Sequence, residues 1–437
     1  MVKHTCENCG KEFSQKSHYT NHKNRKNPCV TESKLKEIIN EVVEEKLQEF
    51  GSTIANTLVE EPIHLYSGIN TFMTEKDIGN PRFCIQKDTK TEIDLKKMKI
   101  KIPKKIETNQ PFTFIEVCAG GGGLSAGLIK AGLHPILLND NNADCCKTLK
   151  KNHPNSNIVL GSMEDIDFTQ YIGKVDLLTG GVPCQSFSQA GLRKGLDDPR
   201  GNLMLKFIEI LNLIKPKIFM IENVKGLLTH DDGNTILRII QTMNSNNLYN
   251  ITYQCLDASK FDVPQKRERV FIIGVLKSIN TPFTFPCESN TKKILRDVLL
   301  DVPPSNGASY SEEKKNLFRM IPQGGCWVNL PENIQKEYMG KSYFSGGGKR
   351  GILYRLSMEK PSLTLLCSPS QKQTERCHPL EERPLTIREY ARIQTFDDNY
   401  EFIGSINSQY KQIGNAVPVE LAKKMGLSIV QLLQTAL

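Results

Sequence analysis

The stretch Phe112-Thr113-Phe114-Ile115-Glu116-Val117-Cys118-Ala119-Gly120-Gly121-Gly122-Gly123-Leu124 decides the fold. Phe112 to Val117 reads as a strand, and the glycines after Cys118 open a helix that begins near Leu124. Glycines at such a junction let backbone N–H groups approach a ligand closely at a helix N-terminus. Many nucleotide and phosphate sites share a turn of this kind, so it marks a class of fold before it marks a ligand. The next apolar run, Pro135 to Leu138, ends in Asn139-Asp140. That spacing places a carboxylate where a ribose hydroxyl pair would lie if an adenosine cofactor sat on the turn. Asp140 reads equally as a helix N-cap for Asn141 onward, and the two roles are compatible.

A further apolar run (Val175, Leu177, Leu178) reads as a buried parallel strand. It leads into Gly180-Gly181-Val182-Pro183-Cys184-Gln185-Ser186-Phe187-Ser188. Two glycines and a proline stop the strand and leave Cys184 at its carboxyl edge, where open α/β sheets bind ligands. Only the thiolate of a cysteine is a strong nucleophile, and an exposed polar position suits one. The plainer alternative for Cys184 is a small buried hydrophobe after a proline. Ile218 to Ile221 reads as another strand, ending in Glu222-Asn223-Val224. Gln265-Lys266-Arg267-Glu268-Arg269 then leads into Val270-Phe271-Ile272-Ile273, and Gln412-Ile413-Gly414-Asn415-Ala416-Val417-Pro418 stands near the C-terminus.

In this order, and with the run Arg-Pro-Leu-Thr-Ile-Arg-Glu-Tyr-Ala-Arg-Ile-Gln-Thr-Phe from Arg383, these segments closely resemble the cytosine-5 DNA methyltransferase family. The resemblance is to the modification-methylase type and runs from about Phe112 to the C-terminus, nearly three quarters of the chain. It implies an α/β fold: a Rossmann-like, S-adenosylmethionine-dependent catalytic domain with a smaller target-recognition domain. It also implies a mechanism in which the Cys184 thiolate adds to carbon 6 of a flipped-out cytosine and makes carbon 5 carbanion-like. Glu222 would then sit on ring nitrogen 3, and Arg269 would hold the carbonyl oxygen of the base and orient Glu222. Pro183 and Arg267 are counted with this catalytic group. Arg267 also reads as a phosphate contact or a partner for Glu268.

For the cofactor, the resemblance implies Ala119, Gly120, Gly122, Gly123 and Leu124 on the turn, with Asp140 and Asn141 beside it. Ser162, Met163, Asn415 and Ala416 complete the expected set. Three positions depart from the family pattern: Cys118 replaces a common phenylalanine, Gly161-Ser162-Met163 a segment with an aspartate, and Asp140 a longer glutamate. None of these is among the catalytic residues. The segment from Gln189 to Asn202, with three glycines and Arg193, Lys194 and Arg200, reads as a loop that closes over DNA.

The expected domains are 1–30, a zinc finger; 31–110, a helical segment and basic linker; 111–278, the first part of the catalytic domain; 279–382, the target-recognition domain; and 383–437, a return to the catalytic domain. In the finger, Cys6 and Cys9 are followed after twelve residues by His22, with Phe13 and Tyr19 spaced as a small core. It resembles a ββα finger in which Cys6, Cys9, His22 and Cys29 hold a structural zinc, with His18 as a rival ligand. Leu35, Ile38, Ile39, Val42, Val43, Leu47, Phe50 and Ile54 recur at helical steps, on a helix that could dock on the enzyme or self-associate. Lys96 to Lys105 reads as a linker attracted to DNA. In 279–382 the composition turns to glycine, proline and polar residues without helical periodicity. Lys341, Tyr343, Lys349 and Arg350 flank its glycines, and Ser368 to Cys377 carries groups suited to phosphate or base edges.

A chain of 437 residues can bury a large core, and a net charge of +9 suits a polyanionic partner. The expected partner is double-stranded DNA, with the protein acting as a monomer. No stretch is long or apolar enough to span a membrane. Thirteen mostly unclustered cysteines fit a reducing compartment, cytoplasmic or nucleoid-associated, better than a disulfide framework. Two rival functions are an RNA methyltransferase of the same fold and a DNA-binding regulator that has lost catalysis. Gln185-Ser186-Phe187-Ser188 and the long variable segment favour DNA over the first, and intact Cys184, Glu222 and Arg269 oppose the second.

Overall fold

The computed structural model describes residues 4–6, 12, 13, 20, 111–183, 199–344, 351–371 and 375–436. Its contacts divide the chain into two units, Met1–Lys101 and Ile102–Leu437. In the first, β1 (His4–Thr5) pairs antiparallel with β2 (Glu12–Phe13), and Cys6, just past β1, is buried. The other expected zinc ligands (Cys9, His22, Cys29), the rival His18, the helical pattern from Leu35 to Ile54 and the lysine-rich stretch lie outside the described residues.

The second unit is built on a seven-stranded sheet of order β5-β4-β3-β6-β7-β9-β8. Its strands are β3 (Thr113–Val117), β4 (His134–Asp140), β5 (Ile158–Leu160), β6 (Leu177–Gly180), β7 (Ile218–Val224), β8 (Tyr249–Asp257) and β9 (Glu268–Leu276). The first five run parallel, whereas β9 is antiparallel to both β7 and β8. From β3 the chain moves outward to β5, then returns to β6 on the other side. The carboxyl ends of β3 and β6 therefore form a topological switch point, the crevice where such sheets bind ligands.

Both faces of the sheet are covered, which is why its central strands are apolar at successive residues rather than alternating. Phe114, Leu138, Leu177, Met220 and Phe271 face α1 (Gly123–Lys130) and α10 (Val419–Thr435). Ile115, Leu137, Leu178, Phe219 and Ile272 face α3 (Pro199–Ile214) and α4 (Asn234–Met243). Gly127 allows α1 and α10 to touch at backbone distance, since a Cβ there would lie 2.4 Å from that of Ala422.

Three expectations change on this sheet. β7 continues through Glu222, Asn223 and Val224 because β9 supplies ladder partners to its end. Asn142, not Asp140, caps α2 (Ala143–Asn152), accepting from the N–H groups of Asp144 and Cys145. Residues 199–202, read as part of the closing loop, are the first turn of α3, with Pro199 at a position that needs no N–H. The rest of that loop lies outside the described residues.

Between β9 and the C-terminal helices α8 (Ile387–Ile393), α9 (Ile406–Asn415) and α10, a smaller core gathers Tyr310, Phe318, Ile321, Leu330, Met339, Ile352, Leu353 and Cys377. This segment includes the one-turn α5 (Arg296–Leu299) and two helices that the composition did not suggest, α6 (Glu312–Arg319) and α7 (Glu332–Met339). Each has only two turns: Leu317 and Phe318 serve the inner face of α6, and Ile334, Tyr338 and Met339 that of α7, runs too short to read as periodic. Ser311 caps α6, and Pro331 precedes α7. β10 (Tyr354–Arg355) and β11 (Arg376–Cys377) pair within the same segment. Arg376, within the Ser368 to Cys377 stretch expected to meet phosphate or base edges, is instead buried, donating to the carbonyls of Gly351 and Glu375. Among the described residues no helix is long and apolar enough to cross a membrane.

Candidate active site

At the switch point, Cys118, Gly120 and Gly122 all take left-handed backbone angles, with φ of 54°, 56° and 84°. Glycine adopts such angles without cost, whereas at Cys118 they hold strain next to a functional edge. The turn is gripped from behind by the C-terminal segment. A Cβ on Gly123 would stand 2.3 Å from the Val417 carbonyl, and one on Gly121 would stand 2.9 Å from the Gln412 side chain. Tyr400 Oη donates to the Gly121 carbonyl at 2.9 Å. Ala119, Leu124 and Ala416 are buried in this packing, while Asn415 remains exposed.

Asp140 closes the other side. Its Oδ2 accepts from the Gly120 N–H and its Oδ1 from the Asn142 N–H, both at 2.8 Å, with Asn141 exposed between. Further along, Ser162 Oγ accepts from the Glu164 N–H and Met163 is buried beneath it. Asn139 ties this loop to the end of β4 by donating to the carbonyls of Val159 and Gly161.

The catalytic candidates come from β6, β7 and β9. Glu222 faces Phe271 across the antiparallel ladder, and Arg269 lies two residues before Phe271 on the same face of β9. This diagonal relation brings long side chains together. Arg269 Nε lies 2.8 Å from Glu222 Oε1. Burial pushes the Glu222 carboxyl above its ordinary range, while the neighbouring Arg269 and Arg267 cations pull the other way. Asn223, on the opposite face, donates to the Val182 carbonyl at 2.9 Å and so pins the loop after β6. A Cβ on Gly181 would lie 3.5 Å from Glu222 Oε2, so that loop runs past the carboxyl. Pro183 is exposed at its described end. Cys184 is the next residue and lies outside the described residues.

Arg267 has a different setting. It is 1% exposed and donates to the carbonyls of Leu365 (3.1 Å), Gly414 (2.9 Å) and Asn415 (3.3 Å). Neither alternative for it fits: burial removes it from phosphate, and Glu268 pairs with Lys225 at 2.7 Å. Arg267 clamps three chain segments together beside the Glu222–Arg269 pair.

One residue escaped the sequence reading. Glu116 sits 1% exposed near the end of β3, paired in register with Thr179 of β6. Glu116 Oε2 and Thr179 Oγ1 are buried without a hydrogen-bond partner among the described residues. Burial, with Asp140 and Glu222 nearby, pushes the Glu116 carboxyl up to about 8. The signal was present as a lone acid inside the apolar run Phe114-Ile115-Glu116-Val117. Such a run costs stability unless the acid meets something polar.

These features fit a nucleoside with a charged amino-acid arm. Space is open beside Gly120 and Gly161, where an added Cβ meets nothing within 4 Å, and Glu116 offers an unsatisfied acidic oxygen at the edge between them and the catalytic pair.

The architecture and this edge define an α/β methyltransferase. Residues 112–431 match the family model for C-5 cytosine-specific DNA methylase. The chain is 47% identical over 340 residues to the Type II methyltransferase M.PspPI of Psychrobacter sp., covering 76% of this chain and 82% of that protein. It is 48% identical over 335 residues to M.Eco47II of Escherichia coli, covering 75% and 80%, and 46% identical over 335 residues to M.Sau96I of Staphylococcus aureus, covering 75% and 78%. Among solved structures, the Entamoeba histolytica methyltransferase EhMeth superposes with a TM-score of 0.55 at 16% identity, over 74% of this chain and 98% of that one. That likeness speaks for the fold. The chain belongs to the C-5 cytosine-specific DNA methylase family and is a DNA (cytosine-5)-methyltransferase.

Proposed function

We propose that the protein methylates carbon 5 of a cytosine flipped out of a specific duplex sequence, through a covalent adduct to Cys184. The observation that carries this is the Glu222–Arg269 pair, 2.8 Å apart, with Glu222 buried and Arg269 half-buried, lining the loop that leads to Cys184. Carbon 5 of cytosine is too electron-poor to react unaided. Addition of the Cys184 thiolate to carbon 6 pushes electron density to carbon 5, while Glu222 donates a proton or hydrogen bond at nitrogen 3. The raised affinity of Glu222 for its proton keeps more of the acid form available near neutral pH. Arg269, always charged, orients Glu222 and holds the oxygen of the base. When bound, S-adenosylmethionine supplies the electrophilic methyl group. Loss of the carbon-5 proton then expels Cys184 and restores the ring.

Residues Ala119, Gly120, Gly122, Gly123, Leu124, Asp140, Asn141, Ser162, Met163, Asn415 and Ala416 would hold that donor, with Glu116 as a neighbour for the ammonium group of its amino-acid arm. Asp140→Ala is expected to weaken S-adenosylmethionine binding about tenfold or more, the scale of a lost hydrogen bond to a charged group. Calorimetry reads this directly, and unchanged affinity would leave Asp140 as the brace between Gly120 and Asn142.

Residues 279–382 serve as the target-recognition domain in this reading, and the N-terminal segment as a zinc finger. The finger is expected to carry about one zinc per chain, lost in Cys9→Ala, because so small a core cannot hold without metal. A chain beginning near Asn109 is expected to keep its target sequence and most of its turnover on bound DNA. It should bind DNA more weakly, most visibly at moderate salt. A changed recognition sequence would assign base reading to the finger. Unchanged affinity at every salt concentration would point to a protein partner for it.

A further inference from the structure

We infer that Cys367 is a positioning residue for the methyl donor: its thiol sets the orientation of the Asn415 side-chain amide at the glycine turn. This rests on the reading of Asn415 as a cofactor contact. Cys367 Sγ donates to Asn415 Oδ1 at 2.9 Å. Both residues are exposed, whereas the chain on either side of them is locked. Arg267 holds the Leu365, Gly414 and Asn415 carbonyls from below. Gly414 packs so tightly that a Cβ would lie 2.2 Å from the Leu366 carbonyl. With both backbones fixed, the remaining freedom at this joint is rotation of the Asn415 amide.

An amide presents an acceptor on one side and two N–H donors on the other, and a half-turn exchanges them. The thiol is a donor and so selects the rotamer whose oxygen faces Cys367. The Asn415 Nδ2 group makes no hydrogen bond among the described residues and is left to donate. A donor at this place suits an acceptor atom of the cofactor, and the reverse orientation would set an acceptor against it. Cys367 thus acts through Asn415 rather than by touching the reacting atoms.

The test is calorimetric titration of the full-length chain with S-adenosylhomocysteine in Cys367→Ala, Cys367→Ser and Asn415→Ala. Cys367→Ala is expected to weaken binding about three- to tenfold, the range of one neutral hydrogen bond. Serine, which keeps a donor, is expected to restore most of the loss. The thermal midpoint of the cofactor-free protein should not move, and methylation kinetics should show a raised KM for S-adenosylmethionine with kcat nearly kept. In a Cys184→Ser background, S-adenosylhomocysteine should also slow iodoacetamide alkylation at Cys367, read by peptide mass spectrometry. Wild-type affinity in Cys367→Ala together with weakened binding in Asn415→Ala would overturn the inference alone. Wild-type affinity in both variants would remove Asn415 from the cofactor site and the inference with it.

Discussion

Cys184→Ser is expected to abolish methyl transfer while leaving binding to duplex DNA largely intact. A hydroxyl occupies nearly the same space as a thiol but is far less nucleophilic at neutral pH, so the first bond to carbon 6 is not made. Recognition and cofactor binding rest on other residues and should persist. The complementary experiment uses duplex carrying 5-fluorocytosine at the target. The wild-type protein should be trapped covalently, because fluorine cannot leave carbon 5 as a proton does, and the serine variant should not be trapped. Full activity of the serine variant, or absence of a trapped complex with the wild type, would remove Cys184 from the mechanism.

The surroundings of that cysteine show how far residues alone can be read. The glycine turn was legible because its backbone has few options: alternating left-handed positions at Cys118, Gly120 and Gly122 require glycine at most of them. The strands with continuous apolar runs were legible for the same kind of reason, since burial on both faces leaves little choice of side chain. β5 and β8 were missed. β5 has three residues at one sheet edge, and β8, at the other, buries only Tyr249 and Leu256 of its nine residues, so neither carries a strong apolar signal. Asp140 shows another limit. Its acidic character at a strand end marked the turn, but no spacing rule said whether Asp140 or Asn142 would take the free N–H groups of α2. Tertiary pairing is harder still. Arg267 and Arg269 are two residues apart, the first just before β9 and the second on it, yet one is closed in by three carbonyls and the other meets Glu222. What separates them is the approach of Leu365 and Gly414, which are far away in the chain.

The same geometry gives Glu222 a role that can be measured by pH. Glu222→Gln keeps the shape and one donor but cannot transfer a proton, so single-turnover methylation is expected to fall about 10²- to 10⁴-fold, the usual worth of a positioned acid. The wild-type rate should also decline on the alkaline side. Burial raises the affinity of the carboxyl for its proton, and as pH climbs through that raised value the group loses the proton it must donate at nitrogen 3. The glutamine variant has no such proton to lose, so this alkaline limb should flatten. Arg269→Ala should move the limb the other way. Removing a cation 2.8 Å from Glu222 takes away the main force holding its carboxyl down, so the group stays protonated to higher pH even as the rate drops through poorer orientation of the base. An alkaline limb that stays in place in both variants would assign that titration to another group and would leave Glu222 as a fixed hydrogen-bonding partner.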